Sequence, residues 1–281
     1  VLSAQKVQNG MTFEDEVTSA NEVITINGYN YDSVDKDTLV IGTSENIINI
    51  YYTKRNDLSY KVNYLEKDTN KVLSAQKVQN GMTFEDEVTA TNEVIEINGY
   101  NYDSVDKDTL VIGTSENVIN IYYTKRADLS YTVNYLESVT NNVLHEPKVQ
   151  TGMTYEEKVN AEDEVIAIDG YNYDYPDKYE LIIGTDENVI NIYYSKVTGL
   201  SYTVNYLEKG TNQTLFPSNN QGDMTFGDVI NSSDEIITIG GYNYDSVDKD
   251  TITIGTGENI INIYYTKRND LSYKVNYLEK D

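Results

Sequence analysis

The 281-residue chain carries 46 acidic against 21 basic side chains, a formal charge of -25, with one histidine and no cysteine. Such a charge disfavours nucleic acid and anionic membranes as partners, and the absence of cysteine excludes disulfide frameworks and thiolate metal sites. No run of about 18 apolar residues offers a membrane-spanning helix, and Val1, with no initiating Met and no signal-peptide pattern, is expected to open a processed product or a window on a longer polypeptide.

The chain repeats itself. GYNYD begins at Gly28, Gly99, Gly170 and Gly241, and LSY at Leu58, Leu129, Leu200 and Leu271, both at a spacing of 71 residues without insertion or deletion. Such a period predicts a series of small supersecondary units in place of one large core. The expected units are 58–128, 129–199 and 200–270, with 1–57 an incomplete unit lacking its first strand and 271–281 the first strand of a further one. The linker Arg126-Ala127-Asp128 holds neither Gly nor Pro and is too short to let units swing. An elongated rod of modules is the expected architecture.

In chain order within 58–128, Tyr60, Val62 and Tyr64 alternate with polar residues as a strand does. In the next unit Tyr131, Val133 and Tyr135 do the same against Thr132 and Asn134. The turn DTNK followed by VLSAQKV predicts a second strand and a hairpin, closed at Asn80-Gly81. Thr83-Phe84-Glu85-Asp86 has the spacing of a helix start and predicts one short helix or helical turn. Alternation returns in residues 93–97, a third strand, and residues 109–112 and 117–124 make a fourth and fifth. In the fifth, Ile119, Ile121 and Tyr123 share one face and Asn120 and Tyr122 the other, as in a sheet covered on one side. The fold class is therefore expected to be mainly β with a short helix per unit (α+β), each unit near the lower size limit for an unaided core.

YKVNYLEKDTNKVL at 60–73 with GYNYDSVDKDTLVIGTSENVINIYYTK at 99–125 resembles the mucin-binding protein repeat (MucBP-like) of Gram-positive, particularly clostridial, surface proteins. Its carriers are the opening Tyr-x-Val-x-Tyr, the central Gly-Tyr and the closing Asn-Val-Ile-Asn-Ile-Tyr-Tyr, and it covers all four units. The resemblance implies a β-grasp-like fold, export to the cell surface or a surface appendage, and a place in an adhesin stalk or fibre. Host glycans or mucin are the partners the family name promises, while many members serve as spacers. No LPxTG sorting motif occurs in the sequence.

No catalytic set or cofactor is assigned. His145 stands alone where the preceding unit has Ser74, and is read as a solvated surface residue of a chain that is not an enzyme. The loop 103–108 spaces oxygens as calcium requires, but it lacks the central Gly and distal Glu of an EF-hand, and the third unit changes it to Asp174-Tyr-Pro-Asp-Lys-Tyr179. No metal is assigned to it. Lys107 and Asn117 recur as Lys36 and Asn46, Lys178 and Asn188, Lys249 and Asn259, which raises an isopeptide bond against the plainer reading of a loop and a turn. Tyr100, Tyr102 and Tyr122 are the candidates for stacking on a sugar.

Two functions stay open: a structural tandem-repeat stalk or extracellular filament segment, and a glycan- or mucin-binding adhesin repeat. LSYKVNYLEKD at 58–68 returns at 271–281. There Tyr273, Val275 and Tyr277 have no unit of their own to cover, while 1–57 presents a bare edge and an unfilled core slot. Head-to-tail strand addition between copies of the chain is one of two readings left open. The alternative is one polypeptide whose repeats run straight through these positions.

Overall fold

The computed structural model describes residues 1–280, and the chain divides into two compact units, Val1–Ala127 and Asp128–Asp281. One pattern recurs through both, and the repeat opening at Leu58 displays it in full. Its strands are β1 (Leu58–Glu66), β2 (Val72–Met82), β3 (Glu87–Thr89), β4 (Tyr100–Val105), β5 (Thr109–Val111) and β6 (Val118–Lys125), labels that serve for the other repeats as well. The main sheet runs β2-β1-β6-β4. Its two central strands, β1 and β6, are parallel, and the outer pairings are antiparallel. β3 and β5 form a separate antiparallel ladder.

The alternation read from the sequence is burial on one face. Tyr60, Val62 and Tyr64 of β1 and Ile119, Ile121 and Tyr123 of β6 are at most 5% exposed, packed with Val88, Ala90, Leu110 and Ile112. The third repeat builds the same cluster from Tyr131, Val133, Tyr135, Ile190, Ile192 and Tyr194, and the fourth from Tyr202, Val204, Tyr206, Ile261, Ile263 and Tyr265. Each cluster draws its buried residues from a single repeat.

Two sequence expectations fail for definite reasons. The helix expected at Thr83-Phe84-Glu85-Asp86 is a tight turn. Asp86 Oδ2 accepts from Thr83 N at 2.8 Å, but Glu85 sits at φ 67°, a left-handed conformation that stops a right-handed helix before it starts. The helical residues are a single 3-10 turn further on, Ala90–Glu93, and no α-helix occurs among the described residues. The strand expected at 93–97 is also absent. Glu93 belongs to the 3-10 turn, and Val94 and Ile97 pack against the core, but the backbone of Ile95 is satisfied by the Tyr123 hydroxyl, which donates to Ile95 O at 2.9 Å and accepts from Ile95 N at 3.2 Å. A phenol stands in for a neighbouring strand, so the hydrophobic pattern of a strand survives without its ladder. The strand that replaces it, β4, begins at the GYNYD motif.

The first repeat is open. VLSAQKVQNGM occurs at both 1–11 and 72–82. At 72–82 it is β2, paired along β1, whereas at 1–11 it forms no strand. The counterparts of β4 and β6 still pair, Tyr29–Val34 with Ile50–Lys54, and so do those of β3 and β5, Glu16–Thr18 with Thr38–Val40. Without a β1 strand across them, Ile48, Ile50 and Tyr52 stay half-buried.

Candidate assembly site

β1 lies between β2 and β6, so both edges of the sheet depend on it. Six residue pairs, from Lys61 with Val118 to Glu66 with Tyr123, set the parallel register. On the open face a line of side chains crosses all four strands. Gln76 Nε2 donates to Asn63 Oδ1 (2.6 Å), Asn63 Nδ2 to Asn120 Oδ1 (2.8 Å), and Asn120 Nδ2 to Asp106 Oδ2 (3.0 Å), just past the end of β4. A slip of one residue would turn Asn63 into the core and bring an apolar side chain out to face Asn120.

On the covered side Tyr60 OH (2.8 Å) and Lys77 Nζ (2.5 Å) both donate to Glu93, tying β1 and β2 to the 3-10 turn. Asn117 Nδ2 donates to the Ser59 carbonyl at 3.0 Å and latches the start of β1. The third repeat repeats these contacts with Tyr131, Lys148 and Glu164, with Asn134, Asn191 and Asp177, and with Asn188 on Ser130. In the fourth, Tyr202 donates to Glu235 at 2.7 Å, and burial followed by that bond pushes its phenol up to about 12. Tyr60 and Tyr131 are raised by the same two causes in the same order.

The first repeat holds one side of these contacts. Glu22 accepts from Lys6 Nζ (2.5 Å), Asn49 grips Asp35 through its backbone N and Nδ2 (2.9 Å each), and Asn46 is folded onto Gly42. The residue types of the other side recur near the other end, where Ser272, Tyr273 and Asn276 occupy the positions of Ser59, Tyr60 and Asn63. Residues 271–280 form no strand in the single chain. Tyr273, Val275 and Tyr277 are 89%, 58% and 94% exposed, and Asp281, the last residue of the expected strand, lies outside the described residues.

A second element links successive repeats inside each unit. Gly28 has φ +82°, and a Cβ there would stand 2.5 Å from the Phe84 ring of the following repeat. That ring meets Tyr29 edge-on with centroids 5.6 Å apart, and Phe84 N donates to the Arg55 carbonyl at 2.8 Å. Phe226 repeats the joint over Gly170 and Tyr171. The two halves recur unmatched: Phe13 is 61% exposed, and Gly241, at φ +83°, has nothing within 4 Å of where a Cβ would be. Gly170→Ala and Gly241→Ala therefore carry the same backbone strain, and only the first displaces a ring. The Gly170 variant is expected to lose about 1–3 kcal/mol more than the Gly241 variant in urea unfolding.

The three tyrosines marked for sugar stacking do not form one platform. Tyr100 is half-buried against the core, Tyr102 is exposed with its ring edge on buried Tyr123 (6.4 Å), and Tyr122 lies on the opposite sheet face, paired across to Leu65. A closer aromatic pair escaped sequence reasoning. In the third repeat Tyr175 replaces the serine of the other repeats and lies against Tyr193 at 5.2 Å with rings 34° apart. The change of Ser to Tyr at 175 was its only signal.

The remaining candidates are accounted for by other contacts. His145 is exposed, its ring edge on Tyr135 at 5.6 Å. Lys107 Nζ donates to the Val118 carbonyl at 2.8 Å while Asn117 binds Gly113 and Ser59, so each is engaged away from the other. Among the described residues no cluster of three His, Cys, Asp or Glu is placed to hold a metal ion, and no helix is long and apolar enough to cross a membrane.

No protein-family model and no curated protein matches the chain. Among solved structures it is similar to domains 3-4 of the Streptococcal High Identity Repeats in Tandem (SHIRT) of a cell surface protein, at 14% identity and a TM-score of 0.23, covering 50% of this chain and 98% of that one. It is similar also to Mub-RV, at 13% identity and a TM-score of 0.19, covering 50% and 99%. The type 2 repeat of the mucus binding protein MUB from Lactobacillus reuteri gives 12% identity and a TM-score of 0.19, covering 50% and 100%.

Proposed function

We propose that the chain is a series of spacer modules from an extracellular surface protein of a Gram-positive bacterium, a stalk with modules at 58–128, 129–199 and 200–270. The observation carrying this reading is that each full repeat closes its own hydrophobic cluster and spans its own sheet with an Asn–Asn hydrogen bond. The aromatic joint inside each unit, Phe84 on Gly28 and Phe226 on Gly170, supports it as a fixed connection between modules. The parallel first and last strands at the centre of the sheet support a β-grasp-like module in which the 3-10 turn takes the place of the helix.

Glycan or mucin binding is the second reading, favoured by the Tyr175–Tyr193 pair, since an apolar ring face is what a sugar stacks on. Probing a mucin-type glycan array with the 281-residue chain separates the two. The spacer reading expects no retained glycan. Binding that vanishes in the Tyr175→Ala/Tyr193→Ala variant would replace it with the adhesin reading.

A finer reading concerns assembly: residues 271–280 of one copy enter the first repeat of a second copy as its β1. Supporting it are the partner groups in the first repeat: Glu22 and Asn49 Oδ1 as acceptors for Tyr273 and Asn276, and Asn46 Nδ2 as donor to the Ser272 carbonyl, as the internal repeats pair them. The same docking brings Phe13 onto Gly241 and Tyr242. Because the chain has no cysteine, the register can be trapped directly. Leu65 pairs with Tyr122 in the second repeat, so Tyr51→Cys with Leu278→Cys is expected to oxidise to disulfide-linked multimers. Linkage only from the shifted pair Tyr51→Cys with Asn276→Cys would refute the register, and linkage from neither pair would refute strand addition.

A further inference from the structure

We infer that each full repeat is a mechanical clamp, built to resist tension applied along the chain. The inference goes beyond the spacer and adhesin readings and depends on neither. The chain enters a repeat at the start of β1 and leaves it at the end of β6, and these two strands are hydrogen-bonded neighbours running parallel. Tension on the two chain ends therefore pulls β1 and β6 in opposite directions along their own axes. The backbone bonds of the seam, from Lys61 N on the Asn117 carbonyl to Lys67 N on the Tyr123 carbonyl, are loaded together in shear and must fail together. Were the ends at the same edge of the seam, the bonds would open one after another.

Side chains reinforce the same seam. The Asn63–Asn120 rung spans it on the open face, and Asn117 holds Ser59 at the point where load arrives. Both contacts recur in the other full repeats as Asn134–Asn191 with Asn188 on Ser130, and Asn205–Asn262 with Asn259 on Ser201. On the covered face the seam is backed by Val62, Ile119 and Ile121, all 0% exposed, so sliding the strands also drags buried side chains through a packed core. In the first repeat Ile50–Lys54 pairs only with Tyr29–Val34 among the described residues, with no strand in the place of β1, and so it has no clamp.

Single-molecule stretching of the full chain from its two ends tests this. Three unfolding steps of equal length are expected, each roughly 200 Å at ~3.3–3.6 Å per residue less the folded span, with none from the first repeat. The decisive comparison is direction. Asn56→Cys with Ser115→Cys places handles on exposed residues at the same end of β1 and β6 in the second repeat, so that pulling there unzips the seam. End-to-end pulling is expected to need at least about three times the force of unzipping, because the bonds share the load only in shear. A thermal melt like that of the unsubstituted chain shows that the handles leave the fold intact. Equal forces in the two directions would overturn the inference, as would end-to-end unfolding in many small steps.

Discussion

Replacing Ile192 by Ala is expected to destabilise the third repeat by about 2–5 kcal/mol, the range for truncating a fully buried aliphatic side chain. That lowers its melting transition by about 10–30 °C. Ile192 is 0% exposed on β6, between Tyr135 on the neighbouring strand and Pro176 on the other side. The same replacement at Ile50, its counterpart in the first repeat, is expected to cost under about 1.5 kcal/mol, since a half-buried side chain has less apolar area to lose. Calorimetry with amide exchange along Leu129–Glu137 checks the contrast, because only Ile192→Ala should release protection there. Equal costs at the two positions would mean that the first repeat closes its core in solution, the outcome that the proposed strand addition requires.

Alkaline pH is expected to unfold the full repeats cooperatively. Burial first, and hydrogen bonds to carboxylates second, hold the phenols of Tyr60, Tyr131 and Tyr202 above their ordinary value, and burial does the same for Tyr64, Tyr123, Tyr194 and Tyr265. A phenol raised in the folded state keeps its proton there after the unfolded chain has released it. Its contribution to stability is therefore complete below about pH 10 and is lost as pH rises from there. For Tyr202 the loss runs to about 12. Many core tyrosines act in the same direction, so the losses add. Phenolate absorbance is expected to rise together with collapse of the strand signal in circular dichroism above about pH 10. A phenolate titration that finishes with the strand signal unchanged would contradict the burial of these rings.

Much of the repeat was legible in order. Alternation at Tyr60, Val62 and Tyr64 and at Ile119, Ile121 and Tyr123 marked two strands and their covered faces, because a period of two has only one way to bury half its residues. The short 93–97 segment misled for the same reason: its apolar residues do face inward, but period two reports burial and is silent on what satisfies the backbone. Tyr123, 28 residues away, does that. At Thr83-Phe84-Glu85-Asp86 the spacing of a helix start was real, and Asp86 does accept from Thr83 N. What the letters did not carry was the left-handed backbone at Glu85, a position that becomes Gly227 in the fourth repeat. The tyrosine pair at 175 and 193 depends on a cross-strand register that no local pattern encodes.

The sequence by itself determined the period, the alternating faces and the polar residues that fix register, since these depend on side-chain chemistry and spacing along one strand. Only the tertiary structure decided which copies of a segment become strands. LSYKVNYLE is β1 at Leu58–Glu66 and no strand at 271–279, and VLSAQKVQNGM is β2 at 72–82 and no strand at 1–11. Identical letters meet opposite fates because a β-strand completes its hydrogen bonds on another strand, and within this chain only the copies at 58–66 and 72–82 have one beside them.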